Sequence, residues 1–165
     1  MSLTYVAALW FLPFVLPICF YVIFTDLREM RITNQAVILL ALAFVVIGPI
    51  ALPFDVYLWR LFHMVIVLIA GIILNAAGAM GAGDSKFIAA ASPYIALGDL
   101  RLLMGLLSAA LLGAFFTHRG IKLSPLRKVA PHWISWERSK FPMGLMLGFS
   151  LSVYLGLGLF LGAAS

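Results

Sequence analysis

Phe87-Ile88-Ala89-Ala90-Ala91-Ser92-Pro93-Tyr94-Ile95-Ala96-Leu97-Gly98-Asp99-Leu100-Arg101 is the stretch on which the fold turns. Phe87–Leu97 is apolar but only about half a bilayer crossing in length. Gly98-Asp99-Leu100-Arg101 interrupts it, and Leu102–Phe116 is apolar again. Read as one long span, this segment gives a chain that crosses a membrane five times. Read as a hairpin, it gives six crossings. Charge decides between them. The hairpin puts Arg28 and Arg31, then Lys86, then Arg119, Lys122, Arg127, Lys128, Arg138 and Lys140 on one side. Only Arg60 and Arg101 are left opposite. A single span would put the six-charge loop opposite Lys86, so the excess of Lys and Arg in cytoplasmic loops favours six spans with both termini outside.

The rest of the chain fits that reading. It has 165 residues, 64% hydrophobic and 10% charged, which excludes an ordinary soluble domain and indicates an all-α membrane helix bundle. Apolar runs of spanning length cover about Thr4–Phe24, Gln35–Phe54, Leu58–Ala79 and Met143–Ala163. One bundle over residues 1–165 accounts for everything, without a second domain. The net charge of +5 is read as basic residues kept on the cytoplasmic side, not as a nucleic-acid surface. Cys19 is the sole cysteine, so no internal disulfide and no cysteine-based zinc site can form. The first apolar run is too long for a signal-peptide core and is expected to be retained.

Two aspartates fall at span ends on the same predicted side. Asp84 lies in Met80-Gly81-Ala82-Gly83-Asp84-Ser85-Lys86, and Asp26 opens Asp26-Leu27-Arg28-Glu29-Met30-Arg31-Ile32-Thr33-Asn34. An ionisable residue at a membrane edge is costly and therefore a functional candidate. Gly81 and Gly83 remove side chains beside Asp84 and permit unusual backbone angles. The bland alternatives are that Asp84 caps the following helix and that Asp26 is a solvated boundary residue. Two carboxylates sharing a site cannot both ionise easily. Such a pair suits aspartic proteolysis, in which one member activates water and the other protonates the peptide carbonyl. That chemistry needs no metal and no cofactor.

These segments resemble those of the type IV prepilin peptidases. Asp26 with Arg28, Ile32 and Asn34 is similar to that family's first segment, and Gly81-Ala82-Gly83-Asp84 with Lys86 matches its Gly-x-Gly-Asp segment. Phe141-Pro142-Met143-Gly144 looks like its third, Pro-Tyr-Gly-type segment. Thr33, Ser85 and Met143 stand where family members usually have Pro, Val and Tyr. The resemblance implies Asp26 and Asp84 as the catalytic pair, and Pro142 and Gly144 as supporting residues. The implied substrate is a prepilin or pseudopilin whose short basic leader is removed at the cytoplasmic face of the bacterial inner membrane. Pilus-assembly machinery is an implied partner. The loop after the first span has no cysteine and no room for the insertion linked to methylation in bifunctional members. The chain therefore resembles the short forms, those of tight-adherence (Flp-type) pilus systems or preflagellin peptidases, without a methyltransferase.

Weaker expectations attach to other polar residues. Arg28 and Lys86 can bias the pair toward ionisation, or simply reach lipid headgroups. Asn34 is expected to cap the second span. His63 and Asn75 are expected to hydrogen-bond between helices. Trp133 and Trp136 suggest an interfacial segment in the basic loop at Thr117–Pro142, and Asp99 marks the outer turn of the hairpin. Small residues at four-residue spacing (Gly105, Ala109 and Gly113; Gly144 and Gly148; Gly158 and Gly162) suggest close helix packing. Two rival functions use the same residues: a proton-coupled transporter or channel subunit with relay carboxylates, and a non-catalytic assembly partner.

Overall fold

The computed structural model describes residues 1–123 and 142–163. The chain runs α1 (Tyr5–Glu29), α2 (Asn34–Ala51), α3 (Phe54–Ala76), α4 (Ala82–Ala91), α5 (Leu100–Leu123) and α6 (Met143–Leu161). Two single 3-10 turns, Ser92–Tyr94 and Leu97–Asp99, lie between α4 and α5. Among the described residues, five helices are long and apolar enough to cross a bilayer, α4 being the exception. The protein is an all-α polytopic membrane helix bundle.

The stretch that decides the fold is a hairpin, but its first arm is not a full helix. α4 has ten residues, about 15 Å of rise. Pro93 ends it, since proline has no N–H to give the carbonyl of Ala89 and disfavours helix at the residue before it. The Ser92 hydroxyl donates to that carbonyl instead, at 2.8 Å. The chain then continues to Asp99 through the two 3-10 turns and returns as α5. Phe87, Ile88, Ala91 and Ile95 face Leu103 and Leu107 across a small cavity of about 100 Å³.

Irregular backbone at membrane depth is tolerated only where protein groups satisfy it. Arg60 of α3 does so here. It is buried, and its guanidinium donates to the carbonyls of Pro93 and Tyr94 at 3.1 and 3.4 Å. The charge balance counted Arg60, near the start of the third apolar run, only as one of two basic residues on the outer side. The broken arm of the hairpin draws it into the bundle instead. The Tyr94 hydroxyl donates to the Leu40 carbonyl at 2.7 Å, tying the same turn to α2.

Proline inside α2 is handled in the same way. Pro49 cannot donate to the carbonyl of Val45, and the Tyr57 hydroxyl of α3 does so from 3.3 Å. Tyr57 and Tyr94 pack with Phe11 and Phe44 in an aromatic cluster with centroids 4.9–5.6 Å apart. α6 is the most enclosed long helix and lies along α1. Gly158 makes this approach possible, because a Cβ there would meet the Ala8 Cβ at 2.7 Å. Gly144 and Gly148 also pack on α1, as their spacing suggests. Gly105 and Gly113 do not follow: no described atom lies within 4 Å of where their Cβ would be.

The two ends of the bundle differ. At one, Leu3 and Tyr5 exchange backbone hydrogen bonds with Ala163, at 3.0 and 3.2 Å. Asp99 is buried there and accepts from the backbone N–H groups of Ser2 and Leu3, at 2.6 and 2.9 Å, and from the Tyr154 hydroxyl, at 2.9 Å. Asp99 therefore does more than mark a turn, since it clamps the start of the chain to the hairpin and α6. The other end carries Asp26, Asp84 and Gly144.

Several boundaries move. α1 continues through Thr25–Glu29, which the polar composition suggested as loop, and only Met30–Thr33 connects it to α2. α3 starts at Phe54, so Asp55 lies in its first turn. The Thr33 side chain, not that of Asn34, caps α2 by accepting from the Ala36 N–H. Asn75 donates locally to the Met80 carbonyl at 2.9 Å rather than to another helix. His63 packs edge-on against Trp59 of its own helix. α5 runs past Thr117, and the expectations on Trp133 and Trp136 fall outside the described residues.

Candidate active site

Asp26 reaches the site because α1 does not stop at its apolar stretch. The helix carries Asp26 one turn from its end, 5% exposed, and the backbone then breaks at Met30. Met30 has a left-handed conformation with φ of 53°, a costly geometry for a residue with a Cβ. The turn directs Ile32 inward, where it is buried against Gly83.

Asp84 is delivered by the segment after α3. Gly78, with φ of +74°, reverses the chain, and Asn75 holds the turn through Met80. Gly81 is the N-cap of α4, so Asp84 is the third residue of the helix and not its cap. Negative charge in this first turn is favoured by the helix dipole.

The glycines beside it act through space rather than backbone angle. Gly81 has an ordinary φ of −66°, and a Cβ on it would sit 2.7 Å from Oδ2 of Asp84. A Cβ on Gly83 would meet the Ile32 Cβ at 3.3 Å. Glycine at 81 thus leaves the carboxylate uncovered, and glycine at 83 eases the close approach of the two aspartate-bearing segments.

Both carboxylates line one cleft of about 730 Å³, with Met30, Arg31, Ile32 and Asn34 on one side and Gly81, Ala82, Gly83 and Lys86 on another. Met143 completes it from α6. Asp26 reaches this cleft from α1 and Asp84 from α4. The Lys86 ammonium donates to Oδ1 of Asn34 at 3.1 Å and bridges α4 to α2. Arg28 is outside this lining and sits 3.8 Å from its neighbour Glu29. Arg31 is the basic residue that this part of the chain contributes to the cleft.

α6 supplies a contact that sequence spacing did not assign. The Gly144 N–H donates to Oδ2 of Asp26 at 2.6 Å. Pro142, fully buried, precedes the helix as its N-cap. The Pro-x-Gly pattern was the only available signal, and it carried no information about which aspartate α6 would meet. Among the described residues, no three His, Cys, Asp or Glu side chains form a group able to hold a metal ion.

The arrangement offers two part-buried carboxylates, open to one cleft, at the end of a membrane bundle. Carboxylates that face one cleft in this way suit chemistry in which one is ionised and the other protonated. No curated protein and no solved structure gives a significant match. The sequence profile of the Type IV leader peptidase family matches residues 13–118, a span holding both aspartates and the Gly-x-Gly-Asp segment. With well over half of its length matched, and with this cleft at its centre, the chain belongs to the Type IV leader peptidase family.

Proposed function

We propose that the protein is an aspartic endopeptidase that removes the short basic leader of prepilin-like precursors at the cytoplasmic membrane face, with Asp26 and Asp84 as the catalytic pair. One observation carries this reading: residues from α1 and α4, remote in sequence, present their carboxylates to a single cleft. The ionised member takes a proton from water as the water oxygen bonds to the scissile carbonyl carbon. The protonated member gives its proton to the carbonyl oxygen. The tetrahedral intermediate then breaks its C–N bond as one of its hydroxyl protons returns to the second carboxylate and the leaving amine takes up the proton held by the first. Gly81 and Gly83 keep the approach to Asp84 open for an extended peptide.

The reading includes a topology. α4 with its two turns would serve as the fourth of six crossings, both ends of the chain would lie outside, and the cleft would open to the cytoplasm. Arg28, Arg31 and Lys86 at that end support this orientation. The membrane would be the bacterial inner membrane. With four residues between α1 and α2, there is no room there for a methyltransferase insertion, which supports peptidase activity alone and a likeness to the Flp-type branch. A transport role is less well supported, because both carboxylates lie at one end of the bundle rather than at mid-depth.

The test is cleavage of a co-expressed Flp-type prepilin in membranes. Asp26→Asn and Asp84→Asn are each expected to abolish the shift in pilin size while protein level and membrane insertion hold. A variant that still cleaves at the wild-type rate would remove that aspartate from the mechanism.

A further inference from the structure

The start of α6 lies against Asp26 more closely than packing requires. First-turn N–H groups of a helix have no partner within it, and Pro142 offers no side-chain cap. Asp26 fills this role from another helix: its Oδ2 accepts the Gly144 N–H at 2.6 Å. A carboxylate at a helix N-terminus is favoured by both the free N–H groups and the dipole. Asp26 needs that compensation, because it sits near the C-terminal, negative end of its own helix. The side chain at 144 also matters. A Cβ there would lie 2.9 Å from Cβ, Cγ and Oδ2 of Asp26, so the carboxyl would have to shift away from the N–H. Asp84 accepts no hydrogen bond among the described residues, so the two aspartates are held differently.

We propose that Gly144 is a positioning residue for Asp26, its backbone N–H fixing the carboxylate for catalysis and its missing side chain permitting the approach. The active site is then built from three segments, with the first turn of α6 as the third. This rests on Asp26 being catalytic.

Gly144→Ala separates positioning from packing when compared with Gly148→Ala one turn on. A Cβ at 148 would meet Ile23 Cγ1 at 3.0 Å and the Cys19 carbonyl at 3.1 Å, away from the carboxylate. Gly144→Ala is expected to lower kcat about 100-fold with KM little changed. Losing the N–H contact disfavours ionised Asp26, so the acid limb of the pH–rate profile moves to higher pH. The charged groups facing Asp26 are Asp84 and Lys86 from α4 and Arg31 from the α1–α2 connection, and none of them is altered. Gly148→Ala is expected to lower stability and leave the acid limb in place. A Gly144→Ala profile like that of the wild type, or like that of Gly148→Ala, overturns the proposal.

A second measurement needs neither folding of that variant nor any cleavage. Labelling the full-length protein with carbonyl-¹³C methionine and ¹⁵N glycine selects the amides of Gly81, Gly105 and Gly144, each of which follows a methionine. Gly105→Ala identifies the signal remote from the site. The Gly144 amide proton is expected to titrate with pH, to keep doing so in Asp84→Asn, and to stop in Asp26→Asn. A Gly144 signal indifferent to Asp26→Asn overturns the proposal. Failure of the wild-type protein to process any prepilin bears on the peptidase reading alone.

Discussion

At the scale of single residues, the site depends on where side chains are missing. Gly81 and Gly144 each stand where a Cβ would press on a carboxylate, of Asp84 and Asp26 respectively. The two predict similar chemistry by different routes. Gly81 is exposed and has a backbone angle that alanine shares, so Gly81→Ala leaves the fold intact. Its Cβ displaces the Asp84 carboxylate, and activity is expected to fall roughly 10- to 100-fold with the melting temperature nearly unchanged. Prepilin cleavage measured beside a thermal melt checks this, and a wild-type rate would mean that Asp84 does not work from its observed position. The glycine flanks of Asp84 were readable in the sequence as missing side chains. Their conformational role was not, because among the described residues the one positive-φ glycine is Gly78, outside the motif. Arg28 shows the same limit: charge marked it as a candidate, but Arg31, just past the break at Met30, lines the cleft instead.

At the scale of elements, the bundle is organised by how each broken helix recovers its hydrogen bonds. Pro93 frees the Ala89 carbonyl and Ser92 takes it up, while Arg60 serves the carbonyls beyond. Pro49 frees the Val45 carbonyl and Tyr57 takes it up. The second case gives a clean prediction. Tyr57→Phe is expected to cost ~1 kcal/mol of stability, and less in a Pro49→Ala background, where the restored N–H at 49 serves the same carbonyl. A double-mutant cycle on the protein in detergent or bilayers measures that difference, and equal costs in both backgrounds would show the Tyr57 bond to be incidental. Apolar runs long enough to span located α1, α2, α3 and α6 within a few residues, and the shorter run Leu102–Phe116 located α5, whose helix continues to Leu123. They could not give the end of α1, since Thr25–Glu29 is polar in composition but stays helical as it packs under α6. Nor could they show that α4 is half a helix, because the run Phe87–Leu97 reads the same whether regular or broken.

For the whole molecule, the arrangement of ends follows from the path of the chain. α1 leaves the end where Leu3 pairs with Ala163 and delivers Asp26 to the other, and α6 begins beside Asp26 and returns. The proposed orientation in the membrane predicts opposite labelling of two exposed positions, Gln35 at the cleft end and Leu97 near Asp99. With an impermeant maleimide, Leu97→Cys is expected to react in intact cells and Gln35→Cys only after permeabilisation, the native Cys19 being buried. The reverse pattern would invert the topology and remove the cytoplasmic cleft. The amino-acid sequence by itself determined that the chain is a helical membrane bundle, because apolar run length and charge placement are properties of composition along the chain. It also determined the two candidate aspartates, because a carboxylate at a span end stands out against 64% hydrophobic residues. Only the tertiary structure decided that these carboxylates share a cleft, that Arg60 is buried to serve a broken helix, and that α6 holds Asp26 through Gly144. Those facts depend on which helices are neighbours and how closely their backbones approach, and no periodicity within a single helix encodes either.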